Sequence, residues 1–159
     1  MRYNIIAVGK VREKYLQRGI AEYAKRLSAY GRVTFTEIPD ESIPDHASAK
    51  EEIAVLEKEG ERILRQLKLG KFTIALAIEG EAMTSEAFAA YLADLGIQGR
   101  SDVNFIIGGS LGLAPAVLAA ADIRLSFSHF TFPHQMMRLI LLEQLYRAHK
   151  IIQGETYHK

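Results

Sequence analysis

Three groups of residues in this chain have types and spacings suited to chemistry. The first is Gly108-Gly109-Ser110-Leu111-Gly112, which follows the apolar run VNFII. Glycines at such a place let the chain turn sharply after a buried strand and bring its main chain close to a ligand. The spacing is not the dinucleotide G-x-G-x-x-G, and the P-loop lysine is missing, so neither phosphate-binding fingerprint applies. The same five residues fit G-x-S-x-G, with Ser110 as nucleophile and Asp122, then His129 or His134, following in hydrolase order. Against a hydrolase stand the small number of strands and the place of Asp122, which begins a strand instead of following one. A plain strand-to-helix turn is the simpler alternative. The second group is LSFSHFTFPHQMMR, Leu125 to Arg138, which sets three phenylalanines and two histidines on a turn. Arg138, flanked by Met and Leu, must be paired or aimed at an anion, because an unpaired buried charge is costly. The third is the terminal Tyr157-His158-Lys159. It joins a hydroxyl, an ammonium and an imidazole, the natural proton carrier near neutral pH, although terminal residues are commonly frayed.

The elements that must position these groups alternate along the chain. Strands are expected at Tyr3–Val8, Val33–Ile38, Phe72–Ile78, Val103–Ile107 and Ile123–Phe127, each a short β-rich run. Between them lie amphipathic helical patterns. Leu16, Ile20, Tyr23 and Leu27 line one face of a helix over Tyr15–Ala29, Ser48 opens a second with Glu51 and Glu52 in its first turn, and Ser85-Glu86 opens a third. This order predicts an α/β domain: a mostly parallel sheet with helices on both faces. Ligands of such sheets bind beyond the carboxyl ends of the strands. Three strand ends carry suitable residues, Glu79-Gly80, Gly108–Gly112 and the stretch after Ile123–Phe127, and they predict one shared pocket.

A helix over Pro133–Gln153 has proline near its start and Gly154 past its end, both in favoured places. It is apolar nearly all round, so one side can cover the sheet while the other needs a partner, most simply a second copy of the chain. The alternative is a central helix wholly inside one subunit.

Composition narrows the classes. The 159 residues suit one domain, and 48% hydrophobic with 25% charged residues is ordinary for a globular protein. There is no cysteine, hence no disulfide framework. The N-terminal MRYNIIAVGK has too short an apolar run for a signal peptide, and no segment approaches the length of a spanning helix, so a cytoplasmic protein without membrane association is expected. Net charge is only +1, yet residues 1–32 hold eight Lys/Arg against two acids, and 33–61 hold two against nine. Two solvated faces of opposite sign explain this as readily as a polyanion patch does.

Taken with their order and spacing, several blocks carry a family resemblance. They are Ala7-Val8-Gly9-Lys10, Tyr23–Leu27, Ile107–Gly112, Leu125–Ser128, Thr131–Gln135, Glu143–Ala148 and Tyr157-His158. The chain resembles, end to end, the ribosomal RNA large subunit methyltransferase H family, the 23S rRNA pseudouridine N3-methyltransferases of the SPOUT (α/β-knot) class. Two departures stand out: His129-Phe130, where relatives often have a basic residue and Met, and Thr156, where Pro is frequent.

The resemblance implies a C-terminal trefoil knot whose loops bind S-adenosylmethionine, with no metal, in a homodimer. The implied cofactor residues are Leu76, Gly80, Gly108, Gly109, Gly112, Phe127, Ser128, His129, Phe130, Thr131 and Phe132. His158 is the implied general base or orienter of the target, with Tyr157 holding position and Arg138 stabilising negative charge. The implied partner is 23S rRNA, at a pseudouridine in the helix 69 loop of the assembled 70S ribosome. The rivals are a serine hydrolase and a nucleotide-binding module without catalysis.

Overall fold

The structure, a computed structural model, describes residues 1–67 and 71–159. All five apolar runs form strands: β1 (Arg2–Val8), β2 (Arg32–Ile38), β3 (Phe72–Ala82), β4 (Asp102–Ile107) and β5 (Ile123–Ser126). They pair in parallel in the order β2-β1-β4-β3-β5. Among the described residues, five helices connect or follow them: α1 (Lys14–Leu27), α2 (Ala49–Leu64), α3 (Ser85–Ile97), the short α4 (Pro115–Ala120) and α5 (His134–Ile152).

Alternation along the central strands builds two cores. Tyr3, Ile5 and Ala7 of β1 join Val103, Phe105 and Ile107 of β4 beneath α1, α3 and α5. Ile6, Val8 and Ile106 point the other way, toward Ile63 of α2 and Val117 of α4. Helices therefore cover both faces, as the sequence predicts. A polar ladder runs through the sheet: Asn4 Nδ2 donates to Asn104 Oδ1, whose own amide donates to Thr73 Oγ1, each at 3.3 Å. Slipping any of these strands by one residue would turn these groups into the opposite core, so the ladder reinforces register.

Helix ends follow local chemistry. Ser48 caps α2 with a reciprocal capping box to Glu51, and Thr84 caps α3 through the Ala87 N–H. Pro133 precedes α5 and Gly154 follows it with φ +65°. Within one chain, α5 lies between α1 and α3. Leu141, Leu142 and Leu145 are fully buried, while Met136, Leu139 and Ile140 are half-buried. Much of the apolar girth of α5 is thus covered within its own chain. Among the described residues, no helix is long and apolar enough to cross a membrane.

Candidate active site

The carboxyl ends of β3, β4 and β5 enclose a cleft of about 750 Å³, within the range of small-molecule sites. Each wall has its own local cause.

The β3 wall is a bulge. Leu125 of β5 pairs with Leu76 and again with Glu81, so the residues between them are pushed out of the ladder. Leu76, Ala77, Ile78 and Glu79 line the cleft as a result. Gly80 does not line it. A Cβ there would lie 2.8 Å from the Arg124 carbonyl carbon, so glycine lets the bulge close on the β5 backbone.

The β4 wall is the glycine loop. The Gly112 N–H donates to the Gly109 carbonyl at 3.1 Å, folding the loop back on itself. A Cβ on Gly108 would lie 2.6 Å from the Gly112 carbonyl carbon, so no larger residue fits without moving the loop. Glu59 of α2 supports the loop from behind. It is 5% exposed, its Oε1 accepts from the Glu41 N–H at 2.9 Å, and its Oε2 lies 3.1 Å from where a Gly109 Cβ would be. Burial pushes its carboxyl above the usual range.

The third wall is the connection from β5 to α5. Phe127, Ser128, Phe130, Thr131 and Phe132 line the cleft, and His129 does not. Ser128 Oγ accepts from the Phe130 N–H at 3.0 Å, which tightens the turn. Phe130 is 80% exposed, a large apolar side chain at the mouth. His134 and Met137, from the first turn of α5, complete the lining. Burial, then the nearby Arg138 charge, holds the His134 imidazole below its ordinary value.

The three sequence-marked strand ends therefore meet in one cleft, and two other sets of residues lie apart from it. Arg138 is 2% exposed and outside the lining. It donates to the carbonyls of Val8 (3.0 Å) and Gly9 and to Glu37 Oε1 (3.2 Å). It fastens α5 to the end of β1, and its buried Nε has no partner among the described residues. Tyr157 and His158 fold back on the other half of α5. The Tyr157 hydroxyl donates to Glu143 Oε1 at 3.0 Å, and Tyr23 lies 3.2 Å from it. His158 meets Arg147 through Nδ1 (3.2 Å) and Glu86 through Nε2 (2.8 Å). Because arginine only donates, Nδ1 accepts and Nε2 carries the proton that Glu86 receives. The Glu86 carboxyl, helped by its helix N-terminus and by His158, is lowered to about 2. Arg147 follows His134 by more than three helical turns, about 20 Å along the axis. The tail is thus held well away from its own cleft.

The hydrolase alternative fails on topology. Ser110 follows the carboxyl end of β4, whereas Asp122 precedes β5 and accepts from the Thr73 N–H at 2.7 Å near the start of β3. In a parallel sheet these are opposite ends. Among the described residues, no group of His, Cys, Asp and Glu could hold a metal ion.

Residues 1–158 match the family model described as "Predicted SPOUT methyltransferase". The chain belongs to the SPOUT methyltransferase family. Curated relatives named "Ribosomal RNA large subunit methyltransferase H" match over the full length of both chains. Identity is 56% for the protein of Bifidobacterium adolescentis, and 53% for those of Carboxydothermus hydrogenoformans and Clostridioides difficile. Two solved structures share the fold. A protein assigned to a methylase family in Neisseria gonorrhoeae aligns at TM-score 0.53 and 13% identity, covering 99% of this chain and 86% of that one. A "Probable Methyltransferase" of Bordetella pertussis aligns at 0.52 and 14%, covering 92% and 93%.

In this SPOUT methyltransferase, the sequence left several lining residues unmarked. Ala77 and Ile78 reach the cleft only because β3 bulges, and Leu118 arrives from α4. Glu59 is one of nine acids in an acidic segment, with no local signal to single it out.

Proposed function

We propose that this chain is an S-adenosylmethionine-dependent methyltransferase that acts on N3 of a pseudouridine in the helix 69 loop of 23S rRNA, within the assembled ribosome. The observation that carries the reading is the cleft itself: a glycine-built cradle at three strand ends, in a chain of this family. The residues present fit the cofactor. Adenine has flat apolar faces suited to Leu76, Leu118 and Phe127, and its polar edge suits the main chain of the glycine loop and of residues 127–132. When bound, the cofactor supplies an electrophilic methyl group on a positively charged sulfur.

The protein's remaining task is to align N3 with that methyl group and to take the imide proton as the bond forms. His158 is the proposed acceptor and Tyr157 its positioning neighbour. In the folded-back tail, Nδ1 of His158 is occupied by Arg147, so this contact must open before the imidazole can accept a proton. Arg138 acts by holding α5 against β1, which sets the position of the cofactor loop, and its fixed charge lies close behind His134. Since the tail lies some 20 Å along α5 from its own cleft, it serves the cleft of a second subunit in a trefoil-knotted homodimer. Lys159 and part of the basic N-terminal segment supply charge toward rRNA.

The test is methyl transfer from labelled S-adenosylmethionine to 70S ribosomes, isolated large subunits and naked rRNA, with the modified nucleotide mapped. Methylation confined to a helix 69 pseudouridine at N3 is expected, with the 70S particle the best substrate. Transfer to another nucleotide or base atom, or no transfer to any of the three, overturns the assignment.

A further inference from the structure

The connection between β1 and α1, residues 9–13, is pinned from three directions. Arg138 donates to the carbonyls of Val8 and Gly9. Gln135 Oε1 accepts from the Arg12 N–H at 2.9 Å, and Gln17 Nε2 donates to the Val11 carbonyl at 2.8 Å. The loop also lies beside the cleft. A Cβ on Gly9 would lie 3.5 Å from Nε2 of His134, a lining residue. A loop held this firmly at the rim of a cleft presents its side chains in a set place.

Those side chains are cations. Lys10 and Arg12 are exposed, as are Lys14 and Arg18 in the first turns of α1. None of the four has an ion-pair partner among the described residues. By contrast, Arg2 and Arg26 of the same basic segment pair with Asp102 and Glu22. Lys14 also occupies the first turn of a helix that has no acid there and no side-chain cap, where a positive charge opposes the helix dipole. The charges therefore do little for local stability. What a pinned, unpaired set of cations beside a nucleotide-sized cleft does suit is the phosphate backbone of a strand whose base enters that cleft.

We propose that the Lys10–Arg12 loop, with Lys14 and Arg18 beside it, grips the phosphates of the RNA strand carrying the target nucleotide, and that Gln135 is a positioning residue for this grip. The proposal rests on the reading of the chain as an rRNA methyltransferase and adds the surface that guides its substrate.

The test compares steady-state methyl transfer to ribosomes at several salt concentrations. In the double variant Lys10→Gln/Arg12→Gln, KM for ribosomes rises at least tenfold, while kcat and S-adenosylmethionine affinity stay within twofold. Removing about two phosphate contacts also makes the dependence of log KM on log salt shallower by about 1–2. Gln135→Ala, which frees the loop and keeps every charge, raises KM several-fold and leaves the salt slope unchanged. The control Lys25→Gln/Arg32→Gln removes equal charge from the same segment and leaves KM within twofold. Normal transfer by the wild type with unchanged KM in the first variant, or an equal effect in the control, overturns this inference alone. No transfer by the wild type overturns the underlying reading and this inference with it.

Discussion

At the scale of single residues, position decides what an ionisable group does. Arg138 and His149 share one helix and are both buried, yet one is a charged fastener and the other a neutral packing group. Arg138 supplies donors to the Val8 and Gly9 carbonyls, and burial opposes its charge while Glu37 favours it. Arg138→Met leaves those carbonyls short of a donor, so a destabilisation of about 1–3 kcal/mol is expected, read from the urea midpoint. An unchanged midpoint would mean that other groups satisfy them. His149 lies 2.8 Å from the Tyr3 hydroxyl and stacks on Tyr30. Burial, then the N-terminal ammonium, holds its imidazole below the ordinary value. The unfolded chain therefore takes up this proton first as pH falls through about 6.5, and the folded chain resists it. Stability declines below that pH and levels off beneath the folded value. His134 acts with the same sign, so His149→Gln should shrink the loss of stability between pH 7.5 and 5.5 without abolishing it. Identical pH slopes in variant and wild type would exclude the contribution of His149.

At the scale of elements, the site is made by irregularities at the ends of regular strands. The β3 bulge directs Leu76 and Ile78 to the cleft, and it closes on β5 only because position 80 has no side chain. Gly80→Ala would place a methyl group 2.8 Å from the Arg124 carbonyl carbon and force β3 and β5 apart at the cleft wall. The expected result is cofactor affinity reduced at least tenfold by calorimetry, with far-ultraviolet circular dichroism unchanged. Unaltered affinity would show that the bulge tolerates the methyl group. Helix α2 contributes from outside by carrying Glu59 behind Gly109.

At the scale of the whole molecule, the cleft and the tail lie at different stations along α5. That separation makes a prediction about assembly. Deleting residues 157–159 should abolish methyl transfer while leaving cofactor affinity within about twofold. Gly108→Ala should fail for the opposite reason, losing the cofactor while retaining the tail, since a Cβ at 108 collides with Gly112. Mixing the two inactive proteins under subunit-exchange conditions should restore activity, to about a quarter of wild type if exchange is random. Failure of the mixture, with exchange confirmed by mass spectrometry, would place both groups in one subunit's cleft.

Features set by local chemistry and features set by long-range packing divide according to the range of the forces. Runs such as VNFII and FTIALAI, the Ser48–Glu51 cap, the Pro133 and Gly154 bounds of α5 and the glycine loop after β4 were legible because each depends on residues within a few positions of one another. The meeting of three strand ends was also legible, since a parallel sheet places all carboxyl ends together. Strand order, the second pairing of Leu125 with Glu81, and the contact of Glu59 with Gly109 were not. They depend on which distant surfaces bury one another. The same holds for Arg138, whose chain environment announced a buried charge but not its partners, two carbonyls some 130 residues away. It holds for His158 as well, since only the folded tail sets its imidazole between Arg147 and Glu86 and so decides which nitrogen carries the proton.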